Sequence, residues 1–386
     1  MKRKIILCGL FRYPRGGATA NYIQYLSDAL ILADYDVVIL SYVNPEFTDK
    51  IQFEYRNAKV IDLEYHSEFN ILNRLMNGKL FTTRMVKILK SLNLTTNDMV
   101  VVSTMKPISD AVFKAKNEFG FKTCGYPLEW FPREHFHDKK TAELRELEFQ
   151  KNRRHDLIWP ISHFIANELG SENLKLLVLP IMADIKEYKY KEKVFCGTYN
   201  FILPANGAMK DALEEMLLAV SELEPRYIKR MQFHLTGIKE NRIISIIGVD
   251  GWNRIRNHVV VHDWMKYDEL VQLYCECHYL LLARHTNQMT LANFPSKVPE
   301  VMTYGVVPIA SRVGDYTKYY LCDQVNSIIM DGADVSVCKA ALQEAIDMPY
   351  QEYLVLSDNA RKCIEEKLDY HVWVQAIKES IESVYK

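Results

Sequence analysis

The sequence predicts an α/β protein of two Rossmann-like halves, and three observations carry that expectation. Short apolar runs of the kind that fill a parallel sheet recur from Lys4–Leu10 to Val306–Ser311, with helical patterns between them. At 386 residues the chain has room for two domains of ~150 residues or more. Between Asp184 and Cys196 the alternation stops in a polar, mixed-charge run, Lys186 to Lys193, and then restarts. That run reads as a linker, with one domain over 1–185 and a second over 195–369.

In the first half the pattern predicts strands at Lys4–Leu10, Asp36–Tyr42, Lys59–Leu63, Met99–Ser103, Phe121–Tyr126, Leu157–Ser162 and Leu176–Pro180. Helices are expected from Ala18 to about Leu32, where Tyr22, Leu26 and Leu30 share a face, and over Thr82–Leu92, Ile108–Phe119 and Lys140–Arg154. Ser162 is placed to cap a further helix through Leu169. The Gly16-Gly17 turn after the first strand permits close backbone approach to a ligand, or is simply a tight turn; it lacks the spacing of a dinucleotide fingerprint.

In the second half strands are expected at Tyr199–Leu203, Gln232–Thr236, Val259–His262, Tyr279–Ala283, Val306–Ser311 and Ser327–Met330. Helices fall at Asp211–Leu223, Tyr267–Cys275, Val335–Ile346, Tyr350–Glu366 and His371–Tyr385. One stretch stands out, Asn293-Phe294-Pro295-Ser296-Lys297-Val298-Pro299-Glu300 followed by Gly305. Ser296 reads as an N-cap, Pro299 sits in a first turn where its missing N–H costs little, and Gly305 as the stop. A helix start beside Lys297 and Glu300 suits an anionic, hydroxyl-bearing ligand, or is a capped helix with a solvated Glu. The turns at Gly16-Gly17, Glu129, Lys210, Asp263-Trp264, Arg284 and the Ser296 stretch all follow strand ends, where ligands of such sheets bind, and two halves of this kind leave a cleft.

Composition narrows the function classes. Hydrophobic residues make up 48% and charged residues 25%, ordinary for a soluble globular protein. A net charge of −1 shows no basic footprint for nucleic acid. No apolar run reaches the ~18 residues of a membrane span. Met1 to Cys8 places basic residues before an apolar run, as a signal peptide does, but Arg12 breaks the run and no small-residue cleavage site follows. A buried first strand and a cytoplasmic location are expected, with the eight cysteines as buried thiols. Cys275 and Cys277 have no second close pair to complete a zinc pattern, so no metal and no cofactor are expected.

On these residues the chain resembles a glycosyltransferase of the GT-B fold, similar to the large family 4 (group 1). Phe294-Pro295-Ser296-Lys297-Val298-Pro299-Glu300, Gly305 and the strand Val306–Ile309 match a motif common in the carboxyl half of that group. The resemblance implies two Rossmann-like domains facing a central cleft, with a last helix, 370–386, crossing back to the first. It implies a nucleotide-sugar donor whose ribose hydroxyls meet Glu300 and whose phosphates meet Ser296 and Lys297. The family's fuller pattern has a second Glu eight positions earlier, where this sequence has Ala292, with Thr290 and Asn293 as substitute contacts. Lys210 and Arg284 become candidate diphosphate ligands, although Asp211 stands where the family usually has Gly. Trp264 would border the nucleotide base, or be a core residue, and Gly16 and Gly17 match the family's Gly-Gly-Ala turn.

Transfer through an oxocarbenium-like state needs the departing diphosphate steadied, a role for these cations without metal. The resemblance implies retention of anomeric configuration. For a glycan or lipid-linked acceptor, Glu129 and His137 are the candidate catalytic groups, with Trp130 and Phe131 as a stacking surface and His135 nearby. Lys151, Arg153 and Arg154 would suit peripheral contact with an anionic inner-membrane face, or form a solvated helix face. Two other readings stay open, a nucleotide-sugar epimerase of the same architecture and a non-catalytic nucleotide-sugar-binding subunit.

Overall fold

The computed structural model describes residues 2–15, 17–63, 71–103, 108–170, 174–187, 190, 193–204 and 210–386, with residues 71–80 as backbone alone. The chain divides into two compact units, Met1–Met182 with Tyr370–Lys386, and Ala183–Asp369.

The first unit is built on seven strands, β1 (Lys4–Tyr13), β2 (Asp36–Val43), β3 (Gln52–Tyr55), β4 (Ala58–Asp62), β5 (Met99–Val102), β6 (Lys122–Gly125) and β7 (Leu157–Ile158). They lie in the order β3-β4-β2-β1-β5-β6-β7. All neighbours run parallel except β3 and β4, an antiparallel pair turned by Arg56 and Asn57, both at positive φ. Ile6, Cys8, Val38, Leu40, Val100 and Val102 share one core with Met85, Leu89, Ile108, Val112 and Phe121. Strands apolar on both faces need helices on both, which is why the alternation reads as a parallel sheet. The helix Ala18–Leu32 covers the regular run Tyr22, Ile23, Leu26, Ala29 and Leu30, all buried. Ser162 caps His163–Leu169 by accepting the Ile165 N–H at 3.3 Å.

Several expected boundaries move. β1 runs on to Tyr13, and β3 was not foreseen. The expected strand Leu157–Ser162 is only two residues long, because Pro160 has no N–H to donate. Leu176–Pro180 is not a strand; Leu176 makes a single bridge to Ile158, and Leu179 donates to the Pro160 carbonyl at 2.9 Å. The closing helix Tyr370–Ser383 belongs to this unit, where Arg3 pairs with Glu382 at 2.5 Å and the Trp159 indole donates to Ser380 Oγ at 3.1 Å.

The second unit holds six strands, β8 (Tyr199–Pro204), β9 (Met231–Thr236), β10 (Val259–His262), β11 (Tyr279–Leu282), β12 (Val307–Ser311) and β13 (Ile328–Met330). Their order is β10-β9-β8-β11-β12-β13, every pair parallel, so all six carboxyl ends lie along one edge. Alternate residues Phe201, Leu203, Phe233, Leu235, Tyr279, Leu281, Val307 and Ile309 fill one core; Ile202, Leu280, Leu282 and Ala310 are buried on the other face. The helix Glu240–Ile255 was not foreseen; within it Gly248 leaves helical geometry, at φ 73°. Of the eight cysteines Cys196 and Cys322 are exposed and Cys275 is half-buried, so the expectation of uniformly buried thiols holds for five. No helix among the described residues is long and apolar enough to cross a membrane.

Candidate functional site

The carboxyl edge of the second sheet gathers the charged residues. β8 leads through 205–209 to Lys210 and Asp211, ahead of the helix Leu213–Ser221. β11 leads directly into Ala283 and Arg284. The Ala212 N–H donates to the Ala283 carbonyl at 2.8 Å, which sets these two exits side by side. A six-residue helix, Lys297–Met302, brings up the third member.

The result is a buried three-residue ion cluster. Asp211 Oδ1 accepts from Arg284 Nε at 2.8 Å, and its Oδ2 accepts from Lys297 Nζ at 2.6 Å. The Asp211 side chain is 6% exposed, that of Arg284 5% and that of Lys297 19%. Arg284 Nη1 donates to Asn293 Oδ1 at 2.9 Å, and its backbone N–H donates to Ser311 Oγ at 3.0 Å. The Ser311 hydroxyl passes this on to the Gly332 carbonyl at 2.8 Å. Burial pushes the Asp211 carboxyl up, but Lys297 and Arg284 outweigh it and hold it below the usual carboxylate value. Burial draws the Lys297 amine below its ordinary value, with Asp211 opposing the shift. Two cations sharing one carboxylate leave one formal positive charge.

Four expected donor residues therefore converge, Arg284, Lys297, Asn293 and Glu300. Glu300 is half-buried, and its charge is felt by Lys297 and by the Tyr274 hydroxyl. Ser296 departs from expectation. Its backbone is already helical, at φ −60° and ψ −27°, and its side chain makes no cap bond. Pro295 takes the Val298 N–H at 3.1 Å and Pro299 has none, which leaves the Lys297 N–H at the helix start without a partner among the described residues. Thr290 is buried with its hydroxyl spent on the His285 and Asn287 carbonyls, and Ala292 is buried. Lys210 is half-buried beside Asp211.

Trp264 follows β10 and is 88% exposed, so it is no core residue. One turn of strand earlier, His262 Nε2 lies 3.0 Å from His234 Nδ1; burial lowers both imidazoles, His234 to about 4. Asp211 was missed as a site residue. Its one signal was a carboxylate where the resembled family has Gly.

In the first unit Gly16 lies outside the described residues. Gly17 is exposed at φ 102° and precedes Ala18–Leu32; a Cβ there would meet nothing within 4 Å, so the backbone conformation is what asks for glycine. Asn44 steadies this approach: its Nδ2 donates to the Pro14 carbonyl at 3.1 Å and its N–H to the Tyr13 carbonyl at 2.9 Å. Glu129 and His137 are both exposed. Trp130 packs on Phe149 and Phe164 at 6.0 and 5.7 Å, and Phe131 on His135 at 4.9 Å. The basic cluster is partly engaged within its own unit: Lys151 pairs with Asp110 at 2.8 Å, Arg153 donates to the Leu169 carbonyl at 2.7 Å, and Arg154 lies over the Phe113 ring at 4.4 Å, while Arg153 and Arg154 stay exposed. Among the described residues no cluster of three or more His, Cys, Asp or Glu suits a metal ion.

No protein-family model matches the chain, and no curated protein sequence does. Solved structures do. Sucrose-phosphate synthase from Thermosynechococcus elongatus superposes with a TM-score of 0.77 at 13% identity, over 100% of this chain and 99% of that one. This is the GT-B fold. Anabaena HepE, solved with UDP and glucose, gives 0.70 at 14% identity, over 99% and 100%. An E. coli trehalose-6-phosphate protein bound with UDP-2-fluoro glucose gives 0.69 at 12%, over 98% and 99%. Likeness at such identities covers the fold of both units and leaves the chemistry to this chain's own residues.

Proposed function

We propose that the protein transfers a sugar from a nucleotide-diphosphate donor to a glycan or lipid-linked glycan acceptor, with retention and without metal, in the synthesis of a cell-surface polysaccharide. The observation that carries the reading is the Arg284–Asp211–Lys297 cluster beside Glu300, at the carboxyl edge of an all-parallel sheet. The solved structures of this fold that hold UDP or a UDP-sugar support the donor class.

In this mechanism the two cations meet the diphosphate and stabilise the charge that grows as the glycosidic bond breaks. Being held before the donor arrives, they need little reorganisation at that moment. Glu300 accepts from the ribose hydroxyls, and Trp264 offers a face to the base. Lys210 extends the positive side toward the phosphates, and the Asn293 amide meets the sugar. Glu129 or His137 positions or deprotonates the acceptor hydroxyl. Lipid-linked acceptors would bring the protein to the membrane face without a span.

The test is a thermal-shift screen over UDP-, GDP-, ADP- and CMP-sugars, followed by incubation of the best donor with and without acceptor glycans. A stabilising donor and an elongated acceptor are expected. An isomeric nucleotide sugar formed without acceptor would make the protein an epimerase. Glu300→Ala with donor binding and glycan synthesis intact would remove the reading at its centre.

A further inference from the structure

Asp211 is the one acidic residue placed between the two buried cations, and nothing in a donor-binding role requires it there. A diphosphate site gains nothing directly from a carboxylate. Its geometry is nonetheless specific. Each carboxylate oxygen takes one cation, at 2.8 and 2.6 Å, and both partners sit on other segments, 73 and 86 residues away. Arg284 spends Nε and Nη1 on Asp211 and Asn293, and its Nη2 has no hydrogen-bond partner among the described residues. Lys297 likewise gives one of its three N–H groups to Asp211.

We propose that Asp211 is the positioning residue of the anion site, holding Arg284 and Lys297 in fixed orientations and keeping Lys297 charged so that both cations face the diphosphate. The inference rests on the donor reading above and adds a residue that acts through others. A buried lysine next to a guanidinium tends to lose its proton, since burial and like charge both disfavour the ammonium. The groups facing Lys297 are Asp211, Arg284 and Glu300, with the Tyr316 hydroxyl near Arg284 and Asp211. Burial and Arg284 pull the amine down, and Asp211 is the largest opposing contribution, ahead of Glu300. Without it, Lys297 releases its proton as pH rises and the site drops from two cations to one. Isosteric Asp211→Asn keeps the shape and removes the charge, so it separates this role from packing.

The experiment measures inorganic pyrophosphate binding by calorimetry to wild type and Asp211→Asn between about pH 6 and about pH 9. The ratio of the two affinities is read at each pH, where pyrophosphate's own ionisation cancels. We expect Asp211→Asn to lose affinity relative to wild type by about tenfold or more across that range, since one proton controls one full charge. A pH-independent ratio with wild-type binding intact overturns the role of Asp211 and leaves the donor site standing. Wild type that does not bind pyrophosphate removes the anion site itself, and the proposal with it. Lys297→Arg supplies a comparison that does not depend on Asp211→Asn folding, because the guanidinium cannot lose its charge. Its affinity ratio to wild type should stay flat with pH; a ratio that grows as pH rises shows Lys297 discharging despite Asp211, and refutes the proposal.

Discussion

Gly305→Ala should destabilise the second unit by about 2–5 kcal/mol, and a second substitution should recover much of that. Gly305 ends the segment that carries Lys297 and Glu300, at φ 69°. A side chain in that left-handed conformation costs about 1–2 kcal/mol. The added Cβ would also lie 2.5 Å from Ser357 Oγ. That hydroxyl is buried and donates to the Gly305 carbonyl at 2.6 Å, so it cannot swing away without losing its bond. Overpacking of this sort costs about 1–3 kcal/mol.

Ser357→Ala removes the obstructing atom, and the Tyr353 hydroxyl, 3.1 Å from the same carbonyl, keeps that acceptor satisfied. Alone it should cost about 1 kcal/mol for one hydrogen bond. In its background Gly305→Ala should cost only the backbone share, about 1–2 kcal/mol. Urea unfolding of the four proteins gives the coupling directly. A Gly305→Ala cost below about 1 kcal/mol would refute the conformational argument, and no relief from Ser357→Ala would refute the steric one.

Three further outcomes follow from the same geometry. Glu300→Gln should fold normally and bind donor about 10- to 100-fold more weakly, the value of one hydrogen bond to a charged group, by titration calorimetry. Trp264→Ala should leave stability within about 0.5 kcal/mol, because the side chain is 88% exposed, yet weaken nucleoside diphosphate binding several-fold by loss of stacking. His155 is buried with neither ring nitrogen bonded among the described residues, and burial lowers it from 6.5 to about 3. The unfolded chain takes up that proton first, so the stability is present above pH 6.5 and lost as pH falls toward 3. Wild type should therefore lose about 2–3 kcal/mol more than His155→Leu between about pH 7 and about pH 4.5; equal losses would count against a neutral buried imidazole.

What the sequence revealed depended on whether the deciding forces were local. The helix Ala18–Leu32 was legible to the residue because its apolar spacing is unbroken and Gly17 precedes it. Glu240–Ile255 was not, because Gly248 breaks the ladder while packing of Ile243, Trp252 and Ile255 holds the segment in place. Ser296 looked like a cap by residue type, but a cap also needs extended backbone, and the two prolines around it set another path. The cations of the site were legible as residue types at strand ends. Their common partner was not, since Asp211 meets Lys297 across 86 residues and Arg284 across 73. The fate of Lys151, Arg153 and Arg154 was hidden for the same reason, as a run of basic residues gives no sign of which carbonyls and rings will receive them.

The cluster also explains why so much charge is tolerated at low exposure. Removing a partner from a buried ion pair costs about 3–5 kcal/mol, so each of the three residues depends on the others being present. Arg284 is further tied through its backbone to Ser311 at the end of β12, and Ser311 to Gly332 beyond β13. The site is thus fixed to three adjacent strands, β8, β11 and β12, and not to its loops alone. A carboxylate at 211 lowers the net positive charge and with it the raw attraction for a diphosphate. In return the cations are already oriented and charged when the ligand arrives, so binding spends less on ordering side chains. If the proposed sugar transfer holds, with nucleotide released after each turnover, moderate attraction with fixed geometry favours the transition state over tight holding of either end of the reaction.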